Sequence, residues 1–302
     1  MQTPDSHIGF IGLGAMGLPM AKRLAGAGYQ VTVFDADPAR AAAASAELGT
    51  APAPTLAGLA SGSDVIVTML PSSAIVRQVL LGASNDGILS GLRKGALVLE
   101  MSSGEPEVTR ELAHLVAQKG ASLVDAPVSG GVSRARTGEL AIMVGGETEA
   151  IERARPILSS MGTSILPTGG VGSAHAMKAL NNLVSAGGFL IGIEALLIGA
   201  RFGLDPAMMV DVLNVSTGMN NSTQKKFKQF VLSRKFDAGF GLDLMVKDLG
   251  IALGIARATD TTSPFAGLCR DLWAGSQKTL GSGQDHTAVA RFSEMLAGTE
   301  LR

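Results

Sequence analysis

The sequence of 302 residues is poor in cysteine and histidine. Its single cysteine, Cys269, excludes an intramolecular disulfide and fits a reducing compartment. The four histidines, His7, His114, His175 and His286, are scattered without the spacing of metal ligands. The sequence therefore gives little support for a metal site and none for a disulfide-stabilised fold.

Charge of either sign is also scarce. Charged residues make up 17% of the chain, and the formal net charge is −1, which gives no electrostatic reason to expect a nucleic-acid or membrane partner. Residues 1–6 lack the basic start and apolar core of a secretion signal, so we expect a cytoplasmic protein. The length favours two domains, and the 46% of hydrophobic residues are ample for their cores.

One long apolar run, residues 183–202, has the length of a membrane span. Glu194 lies in its middle, where a charge costs at least ~2.5 kcal/mol at the bilayer centre, and no aromatic belt flanks the run. Its many glycines and alanines suit close helix packing. We therefore predict a buried helix of a soluble protein, part of which packs against a second subunit.

The strongest motif is a G-x-G-x-x-G turn at residues 12–17. It follows an apolar strand and opens a helix, an arrangement that presents backbone N–H groups to a pyrophosphate. The residues predicted to bind the cofactor in this turn are Gly12, Gly14, Ala15, Met16 and Gly17. Asp35 ends the second strand roughly 20 residues later and suits the ribose 2′-hydroxyl of NAD. NAD is the expected cofactor, with Arg40 the nearby residue that makes NADP possible.

The predicted fold has two parts. Up to residue 166, short β-rich runs alternate with helical stretches, which predicts an α/β Rossmann domain with a mostly parallel, doubly wound sheet. The predicted strands are residues 7–13, 30–34, 65–69, 96–100, 122–125 and 141–144. A glycine-rich break at 167–172 precedes a long helical pattern over 173–202, and the rest reads as helical. We predict an all-α domain at 167–302.

Open α/β sheets bind ligands beyond the carboxyl ends of their strands. Leu70 and Pro71 follow one predicted strand, and Ser102 and Ser103 follow the next, so all four are candidate cofactor contacts; simple turns would have the same composition. Ser129, Gly130 and Gly131 follow another strand. Their exposed donors suit a carboxylate, although a plain turn would look similar.

Lys178 lies in an otherwise apolar helical stretch, and Asn182 is four residues later on the same helical face. A lysine in a partly dry cleft has a lowered pKa and can act as a general acid/base, with Asn182 orienting the substrate oxygen. The alternatives are a lysine that extends to solvent beside an asparagine cap, or His175 as the proton carrier.

Two further polar groups interrupt the helical half. Lys247 and Asp248 are adjacent in an apolar helix, where spacing alone favours a surface pair; otherwise one faces the cofactor and the other anchors a neighbouring helix. A basic run follows a polar cluster at 216–222. It reads as a solvated helix face or, alternatively, as a phosphate or sulfonate handle. The run comprises Lys225, Lys226, Lys228, Arg234 and Lys235.

Taken in order, these motifs resemble the β-hydroxyacid dehydrogenases, and the resemblance covers essentially the whole chain. It implies an N-terminal Rossmann domain joined by a long interdomain helix to the helical domain, and an oxidoreductase with Lys178 as the acid/base and Asn182 assisting. It also implies that Ser129, Gly130 and Gly131 bind the substrate carboxylate, that Lys247 lies beside nicotinamide and substrate, and that the helical domain forms a homodimer or homotetramer. Ser103, or less favourably Ser102, takes the place of a cofactor-binding threonine or serine.

The resemblance has departures. Glu100 replaces the family's usual aspartate, and Ala174 replaces a frequent second glycine, which weakens any fine substrate assignment. The expected reaction moves a hydride between NAD(H) and a short 3-hydroxy acid or its semialdehyde. The alternatives are a reductase of another C=O or C=N substrate, of succinic semialdehyde or imine type, and a non-catalytic dinucleotide-binding protein.

Overall fold

The computed structural model describes residues 6–84 and 86–301, so residues 1–5 of the N-terminal stretch considered above lie outside the described residues. Tertiary contacts divide the chain into two units, the first ending at Lys178 and the second beginning at Ala179. This division falls inside the long helix, later than the predicted boundary at 166/167, because that helix starts among contacts of the first unit.

The first unit is built on one eight-stranded sheet. Its strands are β1 His7–Ile11, β2 Gln30–Phe34, β3 Val65–Thr68, β4 Leu97–Glu100, β5 Ser122–Asp125, β6 Val128–Ser129, β7 Leu140–Gly145 and β8 Gly162–Gly169. The order is β2-β1-β3-β4-β5-β7-β6, with β8 paired to β7. Strands β1 to β5 run parallel, and β7 is antiparallel to β5 and β6 but parallel to β8. The mostly parallel Rossmann-type sheet is as predicted, and its order reverses at β1.

Helices cover both faces of this sheet, which is why its central strands are mostly apolar, with polar residues at their carboxyl ends. They are α1 Gly17–Gly26, α2 Pro38–Leu48, α3 Leu56–Ser61, α4 Ser73–Leu81, α5 Ile88–Gly91, α6 Pro106–Gln118, α7 Gly131–Thr137 and α8 Thr148–Ser159. Helix α2 shows the local logic: Asp37 accepts hydrogen bonds from the N–H groups of Ala39 and Arg40, Pro38 occupies the first turn, and Gly49 ends the helix in the left-handed conformation.

Strands β6 and β8 are absent from the sequence prediction. Strand β8 occupies residues read as the end of a domain and a glycine break, and it contains Pro167 paired with Val144. Most of its side chains are at least partly exposed, so it lacks an apolar signal, and a proline is tolerated there because the strand lies at an edge. Strand β6 has two residues only, too few for any periodicity.

The second unit is helical, as predicted. After α9 Ser173–Phe202, which begins in the first unit, it contains α10 Pro206–Asn214, α11 Asn221–Lys225, a π-helical segment Phe227–Leu232, α12 Leu242–Ala258, α13 Pro264–Leu280, a 3₁₀ turn His286–Ala288 and α14 Val289–Ala297. Its core is aromatic at the centre: the rings of Phe227 and Trp273 pack edge-on against Phe189 of α9. Gly192 of α9 makes room for Phe227, since a Cβ there would lie 2.6 Å from that ring.

Helix α9 is long and apolar enough to cross a membrane by length and composition, and half of its most apolar window is buried inside the protein. Its core side chains include Phe189, Ile193 and Leu196, as expected of a core helix. Its other face is exposed and apolar. Val184, Ile191 and Ile198 recur every seventh residue and are 77%, 56% and 72% exposed. We call these three residues the α9 stripe.

Candidate active site

The glycine turn follows β1, at the point where the strand order reverses. The Gly12 N–H donates to the Phe34 carbonyl at 3.0 Å. Gly12 has a φ of +94°, and a Cβ there would lie 2.3 Å from the Met69 carbonyl oxygen. A Cβ on Gly17 would lie 1.8 Å from the Gly12 carbonyl oxygen. Only glycine fits these two positions, because the turn, the adjacent loop and α1 approach one another without side chains between them.

The outer edge of the same turn is open. A Cβ built on Gly14 meets no atom within 4 Å, and Ala15 beside it is exposed. A cleft of about 820 Å³ lies against this edge, and its lining carries four cationic side chains: Lys22, Arg23, Arg40 and Arg136. Open backbone before the N-terminus of α1 fits the pyrophosphate of a dinucleotide. Arg23 and Arg136 add positive charge to the cleft, whereas Lys22 and Arg40 already pair with Glu47 and Asp35.

Asp35 ties the turn to the end of β2. Its carboxylate accepts the Leu13 N–H at 2.7 Å and the Asp37 N–H at 2.9 Å. Arg40 pairs with the same carboxylate at 3.2 Å. An acid at the ribose position suits NAD, and the adjacent guanidinium offers a charge partner to a 2′-phosphate, so the residues fit either dinucleotide.

The two predicted cofactor loops touch each other. The Leu70 N–H donates to the Ser102 hydroxyl oxygen at 2.8 Å, and the Leu70 side chain lies beside Gly12. Ser102 is buried, whereas Ser103 is partly exposed and Pro71 is exposed. The structure thus brings Leu70 and Ser102 to the glycine turn and commits the Ser102 hydroxyl to holding the loops together.

Ser129, Gly130 and Gly131 form the corner between β6 and α7. Gly130 and Gly131 have φ values of +135° and +69°, conformations that favour glycine, and Ser129 and Gly131 are partly exposed. The corner lies at the start of α7, and neither glycine has a side chain to shield its backbone N–H. The corner therefore has the donors that a carboxylate requires.

Asp125 anchors the start of α9. Its carboxylate accepts N–H groups from Gly172, Ala174 and His175 at 2.8–3.0 Å. Because Asp125 ends β5, it fixes the N-terminal turn of α9 to the carboxyl edge of the sheet. Lys178 follows one turn later on that helix.

A buried ion pair reinforces this anchor. The His175 Nε2 lies 2.7 Å from the Glu100 carboxylate, and both side chains are almost fully buried. The His175 Nδ1 lies 2.7 Å from the Thr109 hydroxyl, which itself donates to the Glu105 carbonyl. When that hydroxyl donates to the carbonyl, it accepts from Nδ1; both ring nitrogens then donate, the arrangement of a charged ring beside Glu100.

The pKa values follow from this pairing. Burial alone favours the neutral ring, but the attraction of Glu100 and of Asp125 outweighs it and raises the pKa of His175. Burial likewise favours the neutral carboxyl, but His175 and hydrogen bonds from Ser102 lower the pKa of Glu100. His175 therefore serves the helix start; its alternative role as proton carrier finds no support in this geometry.

Lys178 and Asn182 lie one turn apart on α9 and are only 7% and 6% exposed, which contradicts a lysine extending to solvent. The Asn182 amide donates to Asp248 of α12 at 2.6 Å. Lys247 lies beside Asp248, with its Nζ 3.3 Å from the carboxylate. Asp248 is 1% exposed, so the prediction of a surface pair is wrong for that residue. It anchors α9, as the second interpretation of the pair had it.

The basic run is mostly a solvated face, as predicted, with one exception. Lys228 pairs with Asp211 at 2.5 Å, Arg234 pairs with Glu294, and Lys225 is exposed. Lys226 is instead partly buried against α9. Sequence reasoning missed this exception because the run contains nothing that marks one lysine as inward-facing.

Comparison with known proteins agrees with both units. Residues 7–170 match the family model of the NAD-binding domain of 6-phosphogluconate dehydrogenase. Residues 172–293 match the model described as the NAD-binding domain of NADP-dependent 3-hydroxyisobutyrate dehydrogenase. Together these models span nearly all of the chain.

Individual relatives point to the same family as the two family models. The chain is 37% identical to 2-(hydroxymethyl)glutarate dehydrogenase of Eubacterium barkeri over 97% of each chain. It is 39% identical to 3-hydroxyisobutyrate dehydrogenase of Pseudomonas aeruginosa over 89% of this chain and 91% of that one. The solved structure of Mycobacterium tuberculosis 3-hydroxyisobutyrate dehydrogenase with L-serine is 33% identical, with a TM-score of 0.87 over 95% of this chain and 99% of that one. The chain therefore belongs to the β-hydroxyacid dehydrogenases, NAD(P)-dependent oxidoreductases that act on a CH–OH group.

Proposed function

We propose that this enzyme transfers a hydride between NAD(H) and a short 3-hydroxy acid or its semialdehyde, with Lys178 as the general acid/base. The observation that carries the proposal is a buried lysine on α9 one turn before Asn182, whose amide is held by Asp248. A buried amine next to a fixed amide suits one hydroxyl or carbonyl oxygen, since the amine exchanges its proton and the amide orients it.

Each group of residues has a separate role in this reaction. The residues that would bind the dinucleotide are Gly12, Gly14, Ala15, Met16, Gly17, Asp35, Leu70, Pro71 and Ser103; Ser102, whose buried hydroxyl accepts the Leu70 N–H, is the less favoured serine. The bound nicotinamide would supply or take up the hydride. Ser129, Gly130 and Gly131 hold the substrate carboxylate. During oxidation, the Lys178 amine takes the hydroxyl proton as the C=O bond forms, a contribution of roughly 10²–10⁴ in rate. Lys247, beside Asp248, takes the role that the family resemblance implies, in contact with the substrate and the nicotinamide.

The relatives suggest the substrate class. 3-Hydroxyisobutyrate, L-serine and 2-(hydroxymethyl)glutarate share one core, HOCH₂–CH(R)–COO⁻, in which R is a methyl, an ammonium or a two-methylene arm ending in carboxylate. We propose that this enzyme oxidises the same core. A common carboxylate and a common primary hydroxyl match the roles assigned to Ser129–Gly131 and to Lys178 with Asn182.

We also propose the remaining features expected from the sequence. NAD is preferred over NADP because Asp35 lies at the ribose position, with Arg40 allowing some use of NADP. The dinucleotide-binding domain covers 1–166 and the substrate and oligomerisation domain 167–302. The protein is cytoplasmic, consistent with one buried cysteine. It forms a homodimer or homotetramer, which the exposed α9 stripe supports.

Absorbance at 340 nm tests the activity. The enzyme is given NAD⁺ or NADP⁺ with 3-hydroxyisobutyrate, L-serine and 2-(hydroxymethyl)glutarate in turn. Reduction of the nucleotide by at least one of them, with NAD⁺ the better cofactor, is the expected result. No reduction with any of the three, in a preparation that binds NADH, refutes a dehydrogenase of this core and leaves a binding protein.

A further inference from the structure

Lys226 occupies an unusual position in the second unit. It follows α11 directly and precedes the π-helical segment, with a φ of −130° that belongs to neither helix. Phe227 beside it packs into the space at Gly192 and so draws this bend onto α9. Departures from regular helix of this kind often accompany functional sites. Here the bend directs one lysine of the basic run inward.

The ammonium lies on the helix face that carries Asn182. Lys226 Nζ is 3.4 Å from the Ser185 hydroxyl and 6.0 Å from the centre of the Phe189 ring. Residues 182, 185 and 189 follow one face of a helix, and a rise of 1.5 Å per residue places Ser185 about 4.5 Å beyond Asn182. Along this face of α9, the Asn182 amide is thus followed by the Lys226 ammonium and then by the Phe189 ring.

The ammonium has no direct carboxylate partner among the ion pairs of the described residues, in contrast to Lys228 and Arg234. The nearest acid that influences it is Asp285, whose oxygens already accept the N–H groups of Gly239, Phe240 and Thr287. A partly buried cation without a contacting counterion favours an anionic ligand.

We propose that Lys226 binds a second carboxylate of the substrate, so that the enzyme prefers HOCH₂–CH(R)–COO⁻ with R ending in carboxylate. This inference rests on the proposed function. The ammonium and the Ser185 hydroxyl are two neighbouring donors, a number that matches the two oxygens of a carboxylate. A two-methylene arm spans the distance from an oxygen at Asn182 to the next helical turn. A methyl R leaves the ammonium unpaired, and an ammonium R is repelled.

The protonation of Lys226 adds a second signature. Burial lowers its pKa to about 8, with Asp285 partly opposing the shift. Among the described residues, the charged group that acts on it is Asp285, and His286 follows Asp285 in the 3₁₀ turn; the contacts with α9 are to Ser185 and Phe189. Above pH 8 the free enzyme loses this charge. The KM for a diacid should therefore rise there, while the KM for the methyl compound should not rise with it.

The experiment compares kcat/KM for three compounds of one core: 2-(hydroxymethyl)glutarate, its neutral C5 amide and 3-hydroxyisobutyrate. The variant is Lys226→Gln, and the control is Lys225→Gln, which removes the same charge from an exposed neighbour. We expect the diacid to exceed the amide by roughly 10–100-fold in the natural enzyme and in the Lys225 variant, since a charged hydrogen bond is worth that much. Lys226→Gln should abolish this gap and the rise in KM above pH 8, and Lys226→Glu should shift preference toward L-serine.

Activity on 3-hydroxyisobutyrate is the internal control for folding. A variant that keeps this activity but loses the diacid preference supports the inference. Equal kcat/KM for diacid and amide in the natural enzyme, or an unchanged ratio in Lys226→Gln, overturns it and leaves the dehydrogenase intact. Failure of all three compounds contradicts the proposed function itself, and with it this inference.

Discussion

Removal of both members of the Glu100–His175 pair should cost clearly less than the sum of the two single removals. The pair is buried, and without His175 the Glu100 carboxylate would face neutral donors: the Thr68 hydroxyl at 3.3 Å and the N–H and hydroxyl of Ser102. Glu100→Gln strands a buried imidazolium, and His175→Gln strands a buried carboxylate. Each should lower the free energy of unfolding by about 3–5 kcal/mol.

The double variant Glu100→Gln with His175→Gln leaves two neutral groups that can bond to each other. Its cost should fall below the sum of the single costs by as much as ~3 kcal/mol. Urea unfolding followed by far-ultraviolet circular dichroism measures all four proteins. Glu107→Gln, at an exposed acid of α6, is the control for general loss of negative charge and should change stability little.

The pH dependence has a definite sign. The folded pKa of His175 is raised above 6.5, so its stabilisation is complete below pH 6.5 and is lost as pH rises through the folded value. The folded pKa of Glu100 is lowered below 4.5, so its stabilisation is complete above pH 4.5 and is lost as pH falls through the folded value. The penalty of either single variant should be largest between pH 4.5 and 6.5. Additive penalties under 1 kcal/mol, equal at all pH values, would refute a charged pair.

Two further predictions concern the cofactor and the oligomer. Asp35→Ser combined with Ala36→Arg should shift preference toward NADP⁺, because a carboxylate beside the ribose is replaced by a cation; an unchanged NAD⁺ to NADP⁺ ratio of kcat/KM would remove this account of the pocket. Ile191→Lys in the α9 stripe should reduce the mass measured by light scattering to that of a smaller assembly. The control Ile75→Lys, at an exposed residue of α4, should leave the mass unchanged. An unaltered mass for Ile191→Lys would mean that the interface lies elsewhere.

Much of the first unit could be predicted from short stretches of sequence. The glycine turn, Asp35 and the capped helix α2 are encoded within short stretches, because a glycine conformation, a strand end and an N-cap depend on neighbours in sequence. Strand β8 was missed for the opposite reason: its exposed, proline-containing sequence acquires strand geometry only by pairing with β7.

The candidate site likewise contains some residues that the sequence identifies and others that it does not. Lys178 and Asn182 stand out because polar residues one turn apart interrupt an apolar helix, and resemblance to a family assigns their roles. Nothing local to Glu100 or His175 reveals their pairing, since they are brought together by separate elements of the first unit. The inward position of Lys226 depends on Phe227 fitting against Gly192, a packing event that periodicity does not encode.

The central claim is that the Lys178 amine exchanges the proton of the reacting oxygen. The most direct test is to measure kcat/KM of the Lys178→Ala variant on the best hydroxy acid, together with its affinity for NADH. The control is Met177→Ala, which changes an exposed residue of the same helical turn. We expect a loss of roughly 10²–10⁴ in kcat/KM with NADH affinity nearly unchanged, and a control close to the natural enzyme. Turnover by Lys178→Ala within a few-fold of the natural enzyme would contradict the account.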